Sequence, residues 1–209
     1  MTSAAQDNAR TPRQRELIAV AAKLFAQRGY HAVGINDISG ELGLTGPAFY
    51  RHYPSKEALL IAVLDQAISS HLEEVGDLVA SISDPLETMQ AIVRHHIEFV
   101  FAETENIMTW RTEFRNLPEP DRHRLRYLQR LYTEEWVRTL RQLRRELAVD
   151  QVRTMCHGAI AMLQSPIEFH NRLPREAVEP ILYNLVMQAL LETDIPAAQA
   201  SKSRVARRA

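Results

Sequence analysis

The stretch from residue 34 to residue 57, GINDISGELGLTGPAFYRHYPSKE, constrains the fold of this chain more than any other. Ile35, Ile38 and Leu42 recur in it at three- and four-residue spacing. Residues with this spacing share one face of a helix, so the pattern predicts a short helix over 35–42 with that face buried.

The residues around this helix set its two ends and begin a second helix. Gly34 precedes it as a candidate N-cap, and Gly43 follows it, where a helix needs a residue that tolerates positive φ in order to end. Thr45 then caps a second short helix with Pro47 in its first turn, where the missing N–H costs no hydrogen bond. Two short helices joined by a tight turn that contains glycine form a helix-turn-helix, which places the second helix in the DNA major groove.

Six short elements follow one another between residues 13 and 64: Leu24-Phe25, Gly29-Tyr30, Ile38-Ser39, Gly43-Leu44, Tyr50-Arg51-His52-Tyr53 and Ser55-Lys56-Glu57-Ala58-Leu59. In this order and spacing they resemble the N-terminal domain of the TetR family of one-component transcriptional regulators. Two positions depart from the family pattern, because Gly34 stands where a Ser or Thr cap is usual and Ser39 where Ala is usual. The departure at Gly34 removes a hydroxyl that often touches a DNA phosphate.

The resemblance implies which residues meet DNA. The first residues of the second short helix face the base edges. Because their side chains are short, they can make few base-specific contacts. Further specificity would then come from neighbouring helices or from DNA shape. Residues around that helix and at the entry to the first helix contact phosphates or a minor groove. For Tyr50 the alternative is a core aromatic, and for His52 it is packing between helices. The candidate DNA-binding residues are Thr45, Gly46, Pro47, Ala48, Tyr50, Arg51, His52, Lys56, Asn36 and Arg13.

Composition extends the helical prediction to the whole chain. Glycine is scarce, at 7 of 209 residues, and long tracts are rich in Leu, Ala, Glu, Arg and Gln, which favour helix. No alternating run bounded by turn residues indicates a strand, so we predict an all-α fold. The single cysteine, Cys156, excludes an intrachain disulfide framework. We find no apolar leader and no apolar run of membrane-spanning length, so we expect a cytoplasmic protein with no membrane partner.

Charge is distributed unevenly, although the net charge is only −1. Residues 66–110 hold one Arg and eight acids, whereas residues 111–145 hold ten Arg and five acids. The first sixty residues are nearly balanced, with seven bases and five acids. DNA affinity therefore has to rest on a few placed contacts, on helix N-termini and on dimerisation rather than on a broad basic field.

Apolar periodicity divides the chain into a small N-terminal unit and a larger helical body. A helix that begins at Ser55 continues its apolar face through Val79, and the boundary between the two units lies inside it, near Leu64. We predict a disordered N-terminus (1–10), a helix-turn-helix DNA-binding domain (11–64), an effector-binding and dimerisation domain (65–194) and a disordered basic tail (195–209).

The last two predicted helices, 149–167 and 174–192, are apolar over a broad face. Small residues such as Gly158, Ala159 and Ala161 permit close approach of another helix. Such a pair, packed against its two-fold mate, forms a four-helix bundle, and the family resemblance implies a homodimer through these helices. The alternative is that they complete the core of one chain.

The body is larger than a dimerisation module requires, and the resemblance implies that it encloses an effector pocket. Aromatic and methionine side chains suit a largely apolar small molecule, although most of them serve equally well as core residues. The apolar body beside clustered arginines leads to a fatty-acyl or acyl-CoA effector as a hypothesis. The candidate pocket residues are His96, Phe99, Trp110, Tyr132, Trp136, Met155 and Met162.

Two other classes of protein compete with a regulator. An enzyme or metal carrier built on a helical bundle would need signals that the sequence lacks: Glu-x-x-His pairs, zinc-type Cys/His spacing, a phosphate-binding loop or Gly-x-Ser-x-Gly. His95 and His96 are neighbours on one helix, so they point about 100° apart and do not form a shared site on one face. We therefore expect no catalysis, metal or cofactor. The second competitor is a helical interaction scaffold without specific DNA reading. We predict a dimeric, ligand-responsive DNA-binding regulator, and the resemblance favours a repressor.

Overall fold

The computed structural model describes residues 10–168 and 173–196 of the chain. The described residues contain no β-strand, so the predicted all-α fold is confirmed. A 3-10 turn at Phe114–Asn116 separates two of the helices. The α-helices, numbered here in chain order, are α1 (Pro12–Arg28), α2 (Ile35–Glu41), α3 (Gly46–Phe49), α4 (Lys56–Ser81), α5 (Pro85–Ala102), α6 (Thr104–Glu113), α7 (Glu119–Leu143), α8 (Val149–Leu163), α9 (Ser165–Glu168) and α10 (Arg175–Leu191).

Helix α1 has well-formed caps at both ends. The Thr11 hydroxyl accepts a hydrogen bond from the Gln14 N–H at 3.3 Å, and the Gln14 side chain accepts one from the Thr11 N–H at 2.9 Å. This reciprocal capping box satisfies two backbone donors that a helix start leaves without partners. At the other end Gly29 has φ of 79°, a conformation that favours glycine, and the helix ends there.

The helix-turn-helix forms with the predicted turn. Helix α2 ends at Glu41, and Gly43 has φ of 62°, so the glycine in the turn is required by backbone conformation. Gly34 has no side chain with which to cap α2, and the Asp37 carboxylate accepts the Gly34 N–H at 2.6 Å instead. Thr45 occupies the N-cap position of α3, although its side chain makes no capping hydrogen bond.

Ser39 is a polar residue in an apolar place. It is 1% exposed, and its hydroxyl has no hydrogen-bond partner among the described residues. A buried hydroxyl without a partner costs about 1–3 kcal/mol. We therefore expect Ser39→Ala to raise the free energy of unfolding by about 1 kcal/mol, measured by chemical denaturation. Ser81→Ala is the matched control, because Ser81 is exposed and bonds the Leu78 carbonyl. A Ser39→Ala protein less stable than wild type would contradict this explanation.

Helix α4 connects two hydrophobic cores. Its first turns contribute Leu59, Leu60, Val63 and Leu64 to a core built with α1, α2 and α3. Farther along, Val75 joins a second core. Because one uninterrupted helix enters both cores, a shift of α4 displaces buried side chains in both of them. The second core is formed by residues of α5, α7, α8 and α10, among them Met89, Ile92, Trp136, Leu140, Val152, Cys156, Leu163 and Val186.

The first core also receives residues from much later in the chain. Leu117 and Leu125 are buried in it, and Trp110 stacks on Phe114 at its edge with ring centroids 4.6 Å apart. An ion-pair group lies nearby, where the buried Asp65 carboxylate accepts from the Arg10 and Arg124 guanidinium groups. The body of the protein therefore packs directly on the DNA-binding unit. The boundary predicted near Leu64 does not indicate that later residues contribute to the core of that unit.

The C-terminal helices differ slightly from the predicted ranges. Helix α8 ends at Leu163 rather than near Ile167, and α9 begins at Ser165. The break falls before Pro166, which lacks the N–H that a continuing helix would need. Within the described ranges, we find no helix with the length and apolarity that crossing a membrane requires.

Candidate nucleic-acid interface and effector cavity

The start of α3 presents short side chains to solvent, as the sequence predicts. Thr45 and Pro47 are exposed, whereas Ala48 is 6% exposed and packs inward beside Phe49. The Asn36 side chain, on α2, lies against the start of α3, with its amide oxygen 3.3 Å from where a Cβ on Gly46 would stand. The outward face at this point therefore consists of a hydroxyl, a proline ring and an amide.

A second group of candidates follows α3. Tyr50 is 54% exposed and touches the buried Phe49 ring edge-on, with centroids 5.6 Å apart. Its hydroxyl is therefore on the surface, which favours a DNA contact over the core role considered above. Arg51 is exposed as well. His52 is half-buried, and its backbone carbonyl accepts from Gln14 of α1 at 3.3 Å, which ties α1 to the end of the helix-turn-helix.

The last two DNA-contact candidates have partners within the protein. Lys56 Nζ donates to the carbonyl oxygens of Tyr30 at 2.8 Å and Val33 at 2.7 Å, and it lies 4.3 Å from the centre of the Tyr30 ring. Arg13 pairs with Glu16 on α1 at 2.7 Å. An ammonium group has three donors, so Lys56 retains at most one for a phosphate. Its evident structural role is to hold the loop between α1 and α2.

A cavity of about 670 Å³ lies where the DNA-binding unit meets the body. Its size is within the usual range for small-molecule sites. Apolar surface is mixed with charge, because four glutamates (Glu74, Glu98, Glu103 and Glu105), Arg15 and Lys23 all line it. The walls come from α1, α4, α5 and α6 and the residue between the last two: Arg15, Ile18, Ala19, Ala22, Lys23, Val63, Gln66, Ala67, Ser70, His71, Glu74, His95, Glu98, Phe99, Ala102, Glu103, Glu105 and Asn106.

Only one of the seven predicted pocket residues, Phe99, lines this cavity. His96, Tyr132 and Trp136 are buried in the core behind it. Trp110 packs on the first core, Met155 packs on the second, and Met162 is exposed. The cavity has α1 as one wall and takes no residue from α7 or α8, the two helices that carry Tyr132, Trp136, Met155 and Met162.

Three histidines and a tyrosine form a chain of contacts beside the cavity. His71 lies at its centre, with Nδ1 3.1 Å from His95 Nε2 and Nε2 3.1 Å from His96 Nδ1. The Tyr132 hydroxyl is 2.7 Å from the same His96 nitrogen. The Phe99 ring stacks on His71 with centroids 3.7 Å apart. His71, on α4, therefore links two adjacent histidines of α5 that the sequence analysis considered only with each other.

Burial controls the protonation of two of these histidines and of the tyrosine. It lowers the pKa of His96 to about 3, with a smaller contribution from His95. Burial also lowers the pKa of His71 well below its ordinary value, and raises that of Tyr132 well above its own. At neutral pH both histidines are uncharged and the tyrosine keeps its proton. The Tyr132 hydroxyl can donate to His96 Nδ1. In the tautomer of His71 that carries its proton on Nε2, toward His96, the lone pair lies on Nδ1, toward His95 and the cavity.

The last two long helices expose apolar side chains on one side. On α10, Ile181 and Leu185 are 48% and 49% exposed and lie one turn apart. On α8, Met162 is 36% exposed, and the position of a Cβ on Gly158 meets open space. Both helices also contribute their opposite faces to the second core, so these side chains are not needed for the core of one chain.

Comparison with known proteins identifies the family. A model described as bacterial regulatory proteins of the tetR family matches residues 17–63, and a model of the tetracyclin repressor-like C-terminal domain matches residues 83–168. Among curated relatives, the transcriptional activator FasR of Mycolicibacterium smegmatis is 30% identical over 91 residues, 44% of this chain and 42% of the relative. The transcriptional repressor KstR2 of Rhodococcus jostii is 30% identical over 122 residues, 58% of this chain and 59% of the relative.

The chain spans about half the length of the curated relatives it matches. Among solved structures, AibR in complex with isovaleryl coenzyme A and operator DNA has the same fold, with a TM-score of 0.72 over 83% of this chain and 97% of AibR, at 21% identity. The two family models together cover more than half of the sequence and both of its structural units. This chain is a member of the TetR family of helix-turn-helix regulatory proteins.

Proposed function

We propose that this protein is a homodimeric transcriptional regulator that binds a two-fold symmetric operator and is controlled by a small molecule. The observation that carries the proposal is a formed helix-turn-helix with its reading face exposed, on a chain whose last two helices leave an apolar face uncovered. Its relatives include a repressor and an activator, and resemblance to the family favours repression.

The binding assay that tests this proposal uses the purified full chain and DNA from upstream of its own gene. We expect fluorescence anisotropy to show binding that weakens steeply as salt rises, because phosphate contacts release counterions. A set of random duplexes of equal length is the comparison. Equal affinity for both would favour the scaffold alternative, unless DNA selection later finds a distant operator.

Tyr50→Phe tests the phosphate contact specifically. The substitution removes only the exposed hydroxyl, and each lost hydrogen bond to a charged group costs about 1.5–3 kcal/mol. Since a dimer makes the contact twice, we expect operator affinity to fall by at least about tenfold with the melting temperature unchanged. Tyr127→Phe is the control, because Tyr127 is 50% exposed on α7. Equal operator affinity in wild type and Tyr50→Phe would remove Tyr50 from the DNA contacts.

We propose that the effector binds in the cavity between α1, α4, α5 and α6. A ligand there contacts α1 of the DNA-binding unit and the helix shared by both cores. It changes DNA binding only through different affinities for the two arrangements of those helices. Acyl-CoA thioesters are the first class to test, because AibR is known in complex with isovaleryl coenzyme A. Four glutamates also line the cavity, so the coenzyme A phosphates would have to lie at its α1 wall, beside Arg15 and Lys23.

Release of operator DNA by acyl-CoA measures this directly. We expect a thioester to lower operator affinity at concentrations where free coenzyme A has no effect, because the acyl group fills the apolar part of the cavity. Lys23→Gln should weaken this response without changing DNA affinity in the absence of ligand. A panel of chain lengths that leaves both DNA affinity and melting temperature unchanged would exclude this effector class.

A further inference from the structure

We propose that His71, Glu74 and His95 form a binding site for a divalent transition-metal ion, with zinc as the metal that fits best. The three donor atoms are His71 Nδ1, Glu74 Oε2 and His95 Nε2, and all lie within 4.8 Å of one another. Neither the family models nor the relatives indicate a metal, and the sequence motifs predict none. The proposal concerns metal binding alone and does not rest on the proposed function.

The donor spacing suits a tetrahedral ion. His95 Nε2 is 3.1 Å from His71 Nδ1 and 3.2 Å from Glu74 Oε2. Donors bound to a tetrahedral zinc at about 2.0–2.1 Å lie about 3.3–3.4 Å apart. Two of the three donor pairs therefore already have nearly this spacing, and the third pair, His71 Nδ1 and Glu74 Oε2, lies within 4.8 Å and has to close around the metal. Two imidazoles and one carboxylate are ligands that zinc accepts.

Hydrogen bonding within the protein does not fully satisfy this cluster. His95 Nε2 lies 3.1 Å from His71 Nδ1 and 3.2 Å from Glu74 Oε2. A ring nitrogen carries either one proton or one lone pair, so His95 Nε2 cannot fully satisfy both contacts. A cation instead accepts a lone pair from each of the three atoms.

Contacts with neighbouring side chains fix the position of the His71 ring, as is usual for a metal-ligating histidine. His71 Nε2 lies 3.1 Å from His96 Nδ1, and His96 is anchored by the Tyr132 hydroxyl at 2.7 Å. Stacking of Phe99 on His71 fixes the plane of the ring. A partner for the second ring nitrogen sets which nitrogen carries the lone pair and increases metal affinity.

The position of the site leaves one coordination place open. His71 and Glu74 are three residues apart on α4 and share a face, and His95 comes from α5. All three also line the cavity, so the fourth place of a tetrahedral ion faces it. A bound metal would fasten α4 to α5 at the wall of the proposed effector site.

Metal titration of the untagged full chain, first stripped with a chelator, tests the site without any DNA. We expect one zinc ion per protomer, measured by elemental analysis after dialysis and by competition with a chromophoric chelator. Cobalt should give the intense visible absorption of a four-coordinate ion, which aqueous cobalt lacks. Zinc should also raise the melting temperature, since it binds the folded chain.

Three variants make the test specific. Glu74→Gln keeps the shape of an exposed side chain and should reduce zinc affinity at least about tenfold, and His95→Gln should do so by about a hundredfold or more. His71→Phe removes the central ligand, but because His71 is buried, its folding must be checked by circular dichroism. Glu105→Gln, which alters another cavity carboxylate, should leave zinc affinity unchanged. Absence of stoichiometric zinc, or zinc binding that Glu74→Gln and His95→Gln leave unchanged, would overturn the proposal.

Discussion

Leu185→Arg is expected to convert the protein to a monomer and to abolish operator binding. Leu185 is 49% exposed and lies one turn from Ile181 on the apolar face of α10. In a two-fold interface each substitution occurs twice, and each buried charge without a partner costs about 3–5 kcal/mol. The dimer dissociation constant should therefore rise by at least about 10⁴-fold. Analytical ultracentrifugation over a range of protein concentrations measures this directly.

Loss of the dimer should carry over to DNA. A monomer reads one half-site, and its affinity should fall from the nanomolar range typical of specific dimers to the non-specific range of about 10⁻⁴–10⁻⁶ M. Met108→Arg is the control, because Met108 is 40% exposed and lies on α6, away from the proposed interface. A Leu185→Arg protein that remains a dimer would place the interface elsewhere, and a monomeric wild type would remove the two-fold model altogether.

Lys56→Met is expected to destabilise the DNA-binding unit by about 3 kcal/mol. The ammonium group donates to two backbone carbonyls, Tyr30 O and Val33 O, in the loop that joins α1 to α2. Hydrogen bonds to charged groups contribute about 1.5–3 kcal/mol each, and partial exposure of Lys56 places the expected sum near the lower end. For a chain of this size, the melting temperature should fall by about 6–12 °C.

This prediction separates two roles for Lys56. Lys23→Met is the matched control, because it removes another lysine of the same unit that is exposed on α1, and should change stability by less than about 0.5 kcal/mol. If Lys56→Met leaves the melting temperature unchanged and weakens only DNA binding, the phosphate contact inferred from the sequence is the main role of this residue. If stability falls as expected, the lysine acts first by holding the loop in place.

The sequence was sufficient to predict features that depend on neighbouring residues. The positive φ at Gly43 and the start of α3, with Thr45 at the N-cap position and Pro47 in the first turn, are each determined within one turn of the chain. The long helix α4 follows from apolar residues at helical spacing. These local signals, together with the family resemblance, correctly led to the all-α fold and to the regulator family.

The cavity could not be predicted in the same way, because it depends on how distant elements pack. The apolar faces of α5 and α7 do not reveal whether Phe99 or Trp136 reaches a cavity, and of these two residues the structure places only Phe99 at the cavity. The cluster proposed to bind zinc was missed for a related reason. His71-x-x-Glu74 has the reverse order of the Glu-x-x-His pairs that were sought, and its third member, His95, comes from another helix. A search for His and Glu at three-residue spacing in either order would have found His71-x-x-Glu74 on α4 and His95-x-x-Glu98 on α5, but not that the two helices bring His95 beside His71.

Selection from random DNA with the purified full chain tests the central claim most directly, because it does not depend on where the operator lies. We predict enrichment of a palindrome whose half-sites are related by the two-fold axis of the dimer and lie on successive major grooves. Anisotropy should then show affinity for the enriched sequence at least about 10³-fold tighter than for random duplex at physiological salt. A selected pool with no common sequence, bound no more tightly than random DNA, would contradict the regulator function.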